Sequence, residues 1–273
     1  VFQLFSNRRV LANLFLAAAV VTLCVGTYLR NKVWQNPLTL WKDSALKNPQ
    51  NHRAHNNFGA ELNEIGHLDR AIREYSRALK IKPDFADANN NLGSALIRQG
   101  QFEEAIQCLS KALHKKPRLL GALNNMGVAL SQKGDLNGAI RYFKLALSIK
   151  PSYGEAHNSL GNALAQQGRI EDAMIEWASA AEADPNYAQP HYNMGVVFEK
   201  RGDMRKAEKS FSEAVRINPG YSHAYSKLGF ISARQGDYES SVRLFSKALE
   251  INPRLVDAQR GFREMSRLTG KGN

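Results

Sequence analysis

Cysteine is nearly missing from this chain, with two residues, Cys24 and Cys108, among 273. One lies in an apolar run and the other far along the chain. No disulfide is expected, and the pair says nothing about redox compartment. A concentrated charge of one sign is missing as well. The formal net charge is +12. Residues 1–50 hold Arg8, Arg9, Arg30, Lys32, Lys42 and Lys47 against Asp43 alone, which accounts for +5. The remaining +7 is spread through mixed-sign runs. Such a pattern excludes a basic nucleic-acid stripe, so no nucleic-acid partner is expected. Catalytic constellations are missing too: there is no phosphate-binding loop, strand-borne glycine fingerprint, metal-spaced Cys/His cluster or nucleophile elbow. We therefore expect no catalytic residue, no cofactor and no metal, and read this chain as a non-enzyme. At 43% hydrophobic and 23% charged residues, it has the composition of a folded protein.

One long apolar run is present. Val10 to Leu29 reads VLANLFLAAAVVTLCVGTYL, twenty residues without a charge. That length suffices for a helix across a bilayer core. Arg8 and Arg9 precede it, Arg30 and Lys32 follow it, and Tyr28 and Trp34 stand where interfacial aromatics belong. The expectation is a transmembrane helix over 10–29, with residues 1–9 as its cytoplasmic flank. A cleavable signal peptide competes, since the alanines at 17–19 could meet a small-residue cleavage rule. The first residue is valine, which fits a processed chain or part of a longer one.

Glycine and proline then mark a period. Gly59, Gly93, Gly127, Gly161, Gly195 and Gly229 are 34 residues apart, as are Gly66 to Gly236 and Pro83 to Pro253. Six repeats follow without insertion over 52–255: 52–85, 86–119, 120–153, 154–187, 188–221 and 222–255. Position 1 falls at His52, Ala86, Leu120, Gly154, Ala188 and Ser222. Glycine at position 8 and alanine at 20 and 27 let two helices, A and B, approach closely, and the bulky residues at 7 and 24 fill the space. Glycine at 15 ends helix A, and proline at 32 separates repeats. One helix pair cannot bury its apolar face alone, so the repeats must stack. Residues 30–51 read as a linker and a lone N-capping half-repeat helix starting at Asn36–Pro37, and 256–273 as a C-terminal capping helix and tail.

This punctuation resembles the tetratricopeptide repeat (TPR) family. The resemblance implies an all-α, right-handed TPR α-α solenoid, here preceded by one transmembrane helix. The segment 27–59 further resembles the junction in TPR-containing membrane glycosyltransferases and transmembrane-and-TPR O-mannosyltransferases. Arg30, Asn31, Trp34, Leu40 and Trp41 match that junction. The family's catalytic acids lie upstream of the part matched, so none is carried over. This likeness implies an array on the periplasmic or lumenal side of a membrane.

The asparagines before the position-7 apolar residue are not required by packing. On an A helix, positions 2, 5, 6, 9 and 13 share a side. Position 6 is Asn57, Asn91, Asn125, Ser159, Asn193 and Lys227, and position 5 begins Asn56, Asn90, Asn124 and Asn158. An amide offers a donor and an acceptor together and can bracket a peptide unit. This resembles the asparagine ladder of the nucleocytoplasmic O-GlcNAc transferases, from which Ser159 and Lys227 depart. The resemblance implies a groove, formed by the A helices, for a protein or extended peptide. The other reading has these amides bonding between repeats or facing water. Replacing Asn57, Asn91 and Asn125 by alanine should then weaken peptide binding, with stability unchanged or slightly raised. Position 13 runs from Glu64 through Arg98, Gln132 and Gln166 to Lys200 and Arg234, so the far end would suit acidic ligands. His55, His157 and His191 share position 4 and read as packing residues rather than ligands.

Two functions remain open. One is the recruiting part of a membrane glycosyltransferase. The other is a stand-alone membrane-anchored adaptor for an envelope or secretion complex.

Overall fold

The computed structural model describes residues 2–270, with side chains for all of these except 2–11, 29, 32 and 33. The described residues are all-α: fifteen helices and no strand. They fall into two compact units, Val1–Pro117 and Arg118–Asn273. The first holds α1 (Phe2–Trp34), α2 (Pro37–Lys47), α3 (His52–Glu64), α4 (Leu68–Ile81), α5 (Ala86–Arg98) and α6 (Phe102–Lys115). The second holds α7 (Leu120–Gln132), α8 (Leu136–Ile149), α9 (Gly154–Gln166), α10 (Ile170–Ala183), α11 (Ala188–Lys200), α12 (Met204–Ile217), α13 (Ser222–Arg234), α14 (Tyr238–Ile251) and α15 (Val256–Leu268).

The expected membrane span is overturned. Among the described residues no helix is long and apolar enough to cross a membrane. Of the run 10–29, Val10, Leu11 and Leu29 lie outside the described side chains, as do residues 1–9. The single-span localisation, with its array on the periplasmic or lumenal side, falls with the span.

Within each 34-residue period a 13-residue helix is followed by a 14-residue one. The two pack closely because their contact is built from small residues. Position 27 is alanine throughout, and Ala78, Ala112, Ala146, Ala180, Ala214 and Ala248 are all fully buried. Glycine at position 8 lies directly on the bulky residue at 24. A Cβ on Gly59 would stand 2.7 Å from Tyr75 Cε1, and one on Gly161 would stand 2.6 Å from Trp177 Nε1. Position 20 holds a variation that packing alone did not foretell. Ser241 replaces alanine, is fully buried, and donates its hydroxyl to the Gly229 carbonyl at 2.8 Å. A buried hydroxyl is tolerated here because that carbonyl lies within reach.

The turns between A and B helices close on Gly66 and its counterparts, with φ of +83° at Gly66 and +79° at Gly168. This left-handed conformation costs a residue with a Cβ about 1–2 kcal/mol, which glycine avoids. In three repeats the next helix starts on an aspartate. Asp135, Asp203 and Asp237 accept from the backbone N–H of Gly138, Lys206 and Ser240 at 2.8, 3.2 and 2.9 Å. Each satisfies a donor that the first turn leaves open. In the first unit α2 begins at Asn36, whose side chain accepts from the Leu38 N–H at 2.9 Å, and then packs on α3. In the second unit α15 covers α14 and α13 and buries Ala258, Gly261 and Met265.

Candidate peptide-binding groove

In three repeats and in the capping helix, position 4 ties the helix to the loop before it. His55 Nε2 lies 3.1 Å from the Pro49 carbonyl, and His157 Nε2 lies 2.8 Å from that of Pro151. Asn89 donates to the Pro83 carbonyl at 3.0 Å, and Gln259, in the capping helix, donates to Pro253 at 2.7 Å. Each bond spans six residues and satisfies a carbonyl that a proline loop leaves over. The opposite nitrogens of His55 and His157 face Glu74 and Glu176, both at 2.7 Å. The two histidines are therefore structural ties. Sequence reading grouped them by residue type and so missed Asn89 and Gln259, which do the same work. Among the described residues no group of three or more His, Cys, Asp or Glu is placed to hold a metal ion.

The asparagines at positions 5 and 6 form two layers. Asn56, Asn124 and Asn158 are buried, and Asn90 is half-buried. Asn57, Asn91, Asn125 and Asn193 are all half-buried, one step nearer the surface. The layers are bonded to each other across repeats. In the first unit Asn91 Nδ2 donates to Asn56 Oδ1 at 3.1 Å. In the second, Asn193 Nδ2 donates to Asn158 Oδ1 at 3.1 Å and to Asn162 Oδ1 at 2.9 Å. Within a helix, Asn56 Nδ2 donates to Asn57 Oδ1 at 3.1 Å and Asn90 Nδ2 to Asn91 Oδ1 at 3.3 Å.

The network extends further at the fifth repeat. Trp177 Nε1 donates to Asn162 Oδ1 at 3.0 Å, Gln189 Nε2 to Asn193 Oδ1 at 3.1 Å, and the Tyr221 hydroxyl to Gln189 Oε1 at 2.7 Å. Burial pushes the Tyr221 phenol up from its ordinary value. The ladder breaks where the sequence does. Ser159 stands at position 6 of the fourth repeat, and Asn124 Oδ1, one repeat back, is buried without a hydrogen-bond partner. At the other departure, Lys227 turns to Glu199 and pairs with it at 2.7 Å.

These bonds follow the reading in which the amides bond between repeats, and they stand against unchanged or raised stability when Asn91 is replaced by alanine. Asn91 donates to a buried acceptor, Asn56 Oδ1, so its removal carries a stability cost.

Family profiles described as TPR repeat match residues 59–100 and 161–202, and profiles described as tetratricopeptide repeat match 84–152, 188–221 and 222–255. This chain is a tetratricopeptide repeat protein. No curated protein matches it at a significant level. Among solved structures, the TPR chain is similar to one in the APC/C hetero-tetramer Cut9–Hcn1, with a TM-score of 0.73 at 14% identity over 86% of this chain. It spans about half of that chain, 46%. It is also similar to Pseudomonas aeruginosa pilF, with a TM-score of 0.63 at 17% identity, over 77% of this chain and 95% of that one. For MamA the TM-score is 0.50 at 26% identity, over 60% of this chain and 96% of the other. The first two likenesses concern the fold alone. None of these matches supports the glycosyltransferase resemblance read from residues 27–59. The TPR assignment makes the chain a protein-interaction module.

Proposed function

We propose that each unit of this TPR array holds an extended segment of a protein partner along its A-helix side, over Asn57 and Asn91 in the first unit and over Asn125 and Asn193 in the second, with Asn56 and Asn90, and Asn124 and Asn158, as the layers beneath. It does no chemistry itself. The observation that carries this reading is the two-layer arrangement. The inner amides and their cross-repeat bonds set the outer ones in fixed positions at half-burial. A carbonyl oxygen has two lone pairs and an amide nitrogen two hydrogens, so Asn91, bonded once on each, keeps donor and acceptor capacity for a ligand, whereas Asn193, with both hydrogens committed, keeps acceptor capacity alone. Pre-positioned amides lose little entropy on binding a main chain. A link to a glycosyltransferase rests on Arg30, Asn31, Trp34, Leu40 and Trp41 alone.

The test is a peptide array probed with the full chain and with the Asn57→Ala and Asn193→Ala variants. Selective peptides should bind the parent, and each variant should weaken them several-fold. Equal binding by parent and variants would remove the asparagines from the site.

A further inference from the structure

A hollow of ≈ 860 Å³ opens in the second unit between α9, the start of α10 and α11. Its floor is apolar: Ala165, Ile170, Trp177, Val196 and Val197 line it. The α11 residues Tyr192, Asn193, Val196 and Lys200 that line it hold positions 5, 6, 9 and 13, the set that shares one side of an A helix. Space is left because Ala165 and Gly168 put little or no side chain into one wall. The aromatic floor is held rigidly. Trp177 is 4% exposed, and its Nε1 is committed to Asn162.

The rim is charged, and its cations are unequally matched. Arg169 pairs with Asp172, and Arg201 with Glu171 at 2.5 Å. Lys200 lines the hollow, is exposed, and has no ion pair among the described residues. One repeat on, at the same position, Arg234 has only the Met204 sulfur among the described residues, at 3.8 Å. The surplus charge beside the apolar floor is therefore positive.

We infer that this hollow receives one aliphatic or aromatic side chain of the bound peptide, with an acidic residue next to it held by Lys200. The inference rests on the peptide-groove reading and gives it a sequence preference. An apolar pocket of this size takes a large side chain, while the backbone amides remain with the asparagine ladder. An uncompensated ammonium on the rim rewards a carboxylate and penalises a second cation.

A positional library of immobilised acetylated hexapeptide amides, probed with the full chain, tests this. Peptides carrying Leu, Ile, Phe or Trp beside Asp or Glu should be enriched, and their Lys-substituted counterparts lost. Lys200→Glu, at an exposed position, should lower affinity for the acidic set about fivefold and favour the lysine set. Val196→Trp should fill the hollow and lower affinity for both sets at least about tenfold. In a Trp34→Phe/Trp41→Phe background Trp177 is the sole tryptophan, and its emission should shift when an enriched peptide binds. Enrichment of peptides that leave Trp177 unmoved, and that neither variant weakens, would overturn the pocket and leave the groove reading standing. A library with no enrichment at all would overturn both.

Discussion

Asn193 donates from Nδ2 to Oδ1 of Asn158 at 3.1 Å, and the bond joins two A helices in successive repeats. Asn91 and Asn56 form the same bond in the first unit, at 3.1 Å. The relation is between position 6 of one repeat and position 5 of the repeat before. It gives the asparagine columns a structural role that exists whether or not a peptide is bound.

Asn91→Ala should therefore destabilise the protein. Asparagine gives up roughly half a kcal/mol to alanine as a helix former. Against that, Asn56 Oδ1 would be left buried without a donor, at a cost of about 1–3 kcal/mol. The net expectation is a loss of about 1 kcal/mol, read by urea unfolding and by faster amide exchange in α3 and α5. An unchanged or raised stability would show that water replaces the donor without cost.

Ser159→Asn should act in the opposite direction. Asn124 is 8% exposed, and its Oδ1 lacks a partner. An asparagine at 159 would supply the Nδ2 donor that Asn91 and Asn193 supply elsewhere. The gain is about 1 kcal/mol, the usual net worth of a hydrogen bond. Slower exchange in α7 and α9 would locate it.

Gly161→Ala and Gly66→Ala separate two uses of glycine. A Cβ at 161 would stand 2.6 Å from Trp177 Nε1 and press on the atom that bonds Asn162. Overpacking costs about 1–3 kcal/mol, and the displaced hydrogen bond adds to it. At Gly66 the space is open, and only the φ of +83° resists a side chain. That substitution should cost about 1–2 kcal/mol and leave the tryptophan environment unaltered. Near-UV circular dichroism distinguishes them.

Stability should fall as pH drops below neutrality, in two windows. Burial, reinforced by Arg216 against the opposing Glu213, holds His191 below the ordinary 6.5. His52 is lowered as well, by burial first and then by Lys82 and Arg53. Below about 6.5 the unfolded chain takes up protons that the folded chain resists, so stability present above that pH is lost on acidification. The second window concerns carboxylates. Hydrogen bonds from Lys206 hold Asp203 below 3.8, and those from Ser240 do so for Asp237. Their contribution is present above 3.8 and is lost as pH falls through their folded values. A His191→Gln variant should flatten the upper step and leave the lower one unchanged in a Tm-versus-pH series.

The helices were legible because their signals are local. A glycine at position 15, a proline at 32 and alanines at 20 and 27 each act within one repeat, and a 34-residue recurrence exposes them. The apolar run was legible as composition, but among the described residues no helix is long and apolar enough to cross a membrane. The position-4 ties were half-legible. The histidines stood out, whereas Asn89 and Gln259 share their geometry without sharing their residue type.

Sequence by itself determined the 34-residue period, the glycine at which each A helix stops and the small residues that lie between A and B. The period, the helix stops and the close contacts all follow from backbone conformation and side-chain size. Tertiary structure alone decided what the asparagines do. Asn56 and Asn91 are 35 residues apart, and only stacking brings an amide of one to the carbonyl of the other. The same stacking makes Ser159 matter. It is an ordinary helix-face residue in sequence, and in the fold it stands at the position from which Asn91 and Asn193 donate elsewhere, while Asn124 Oδ1 is left without a partner.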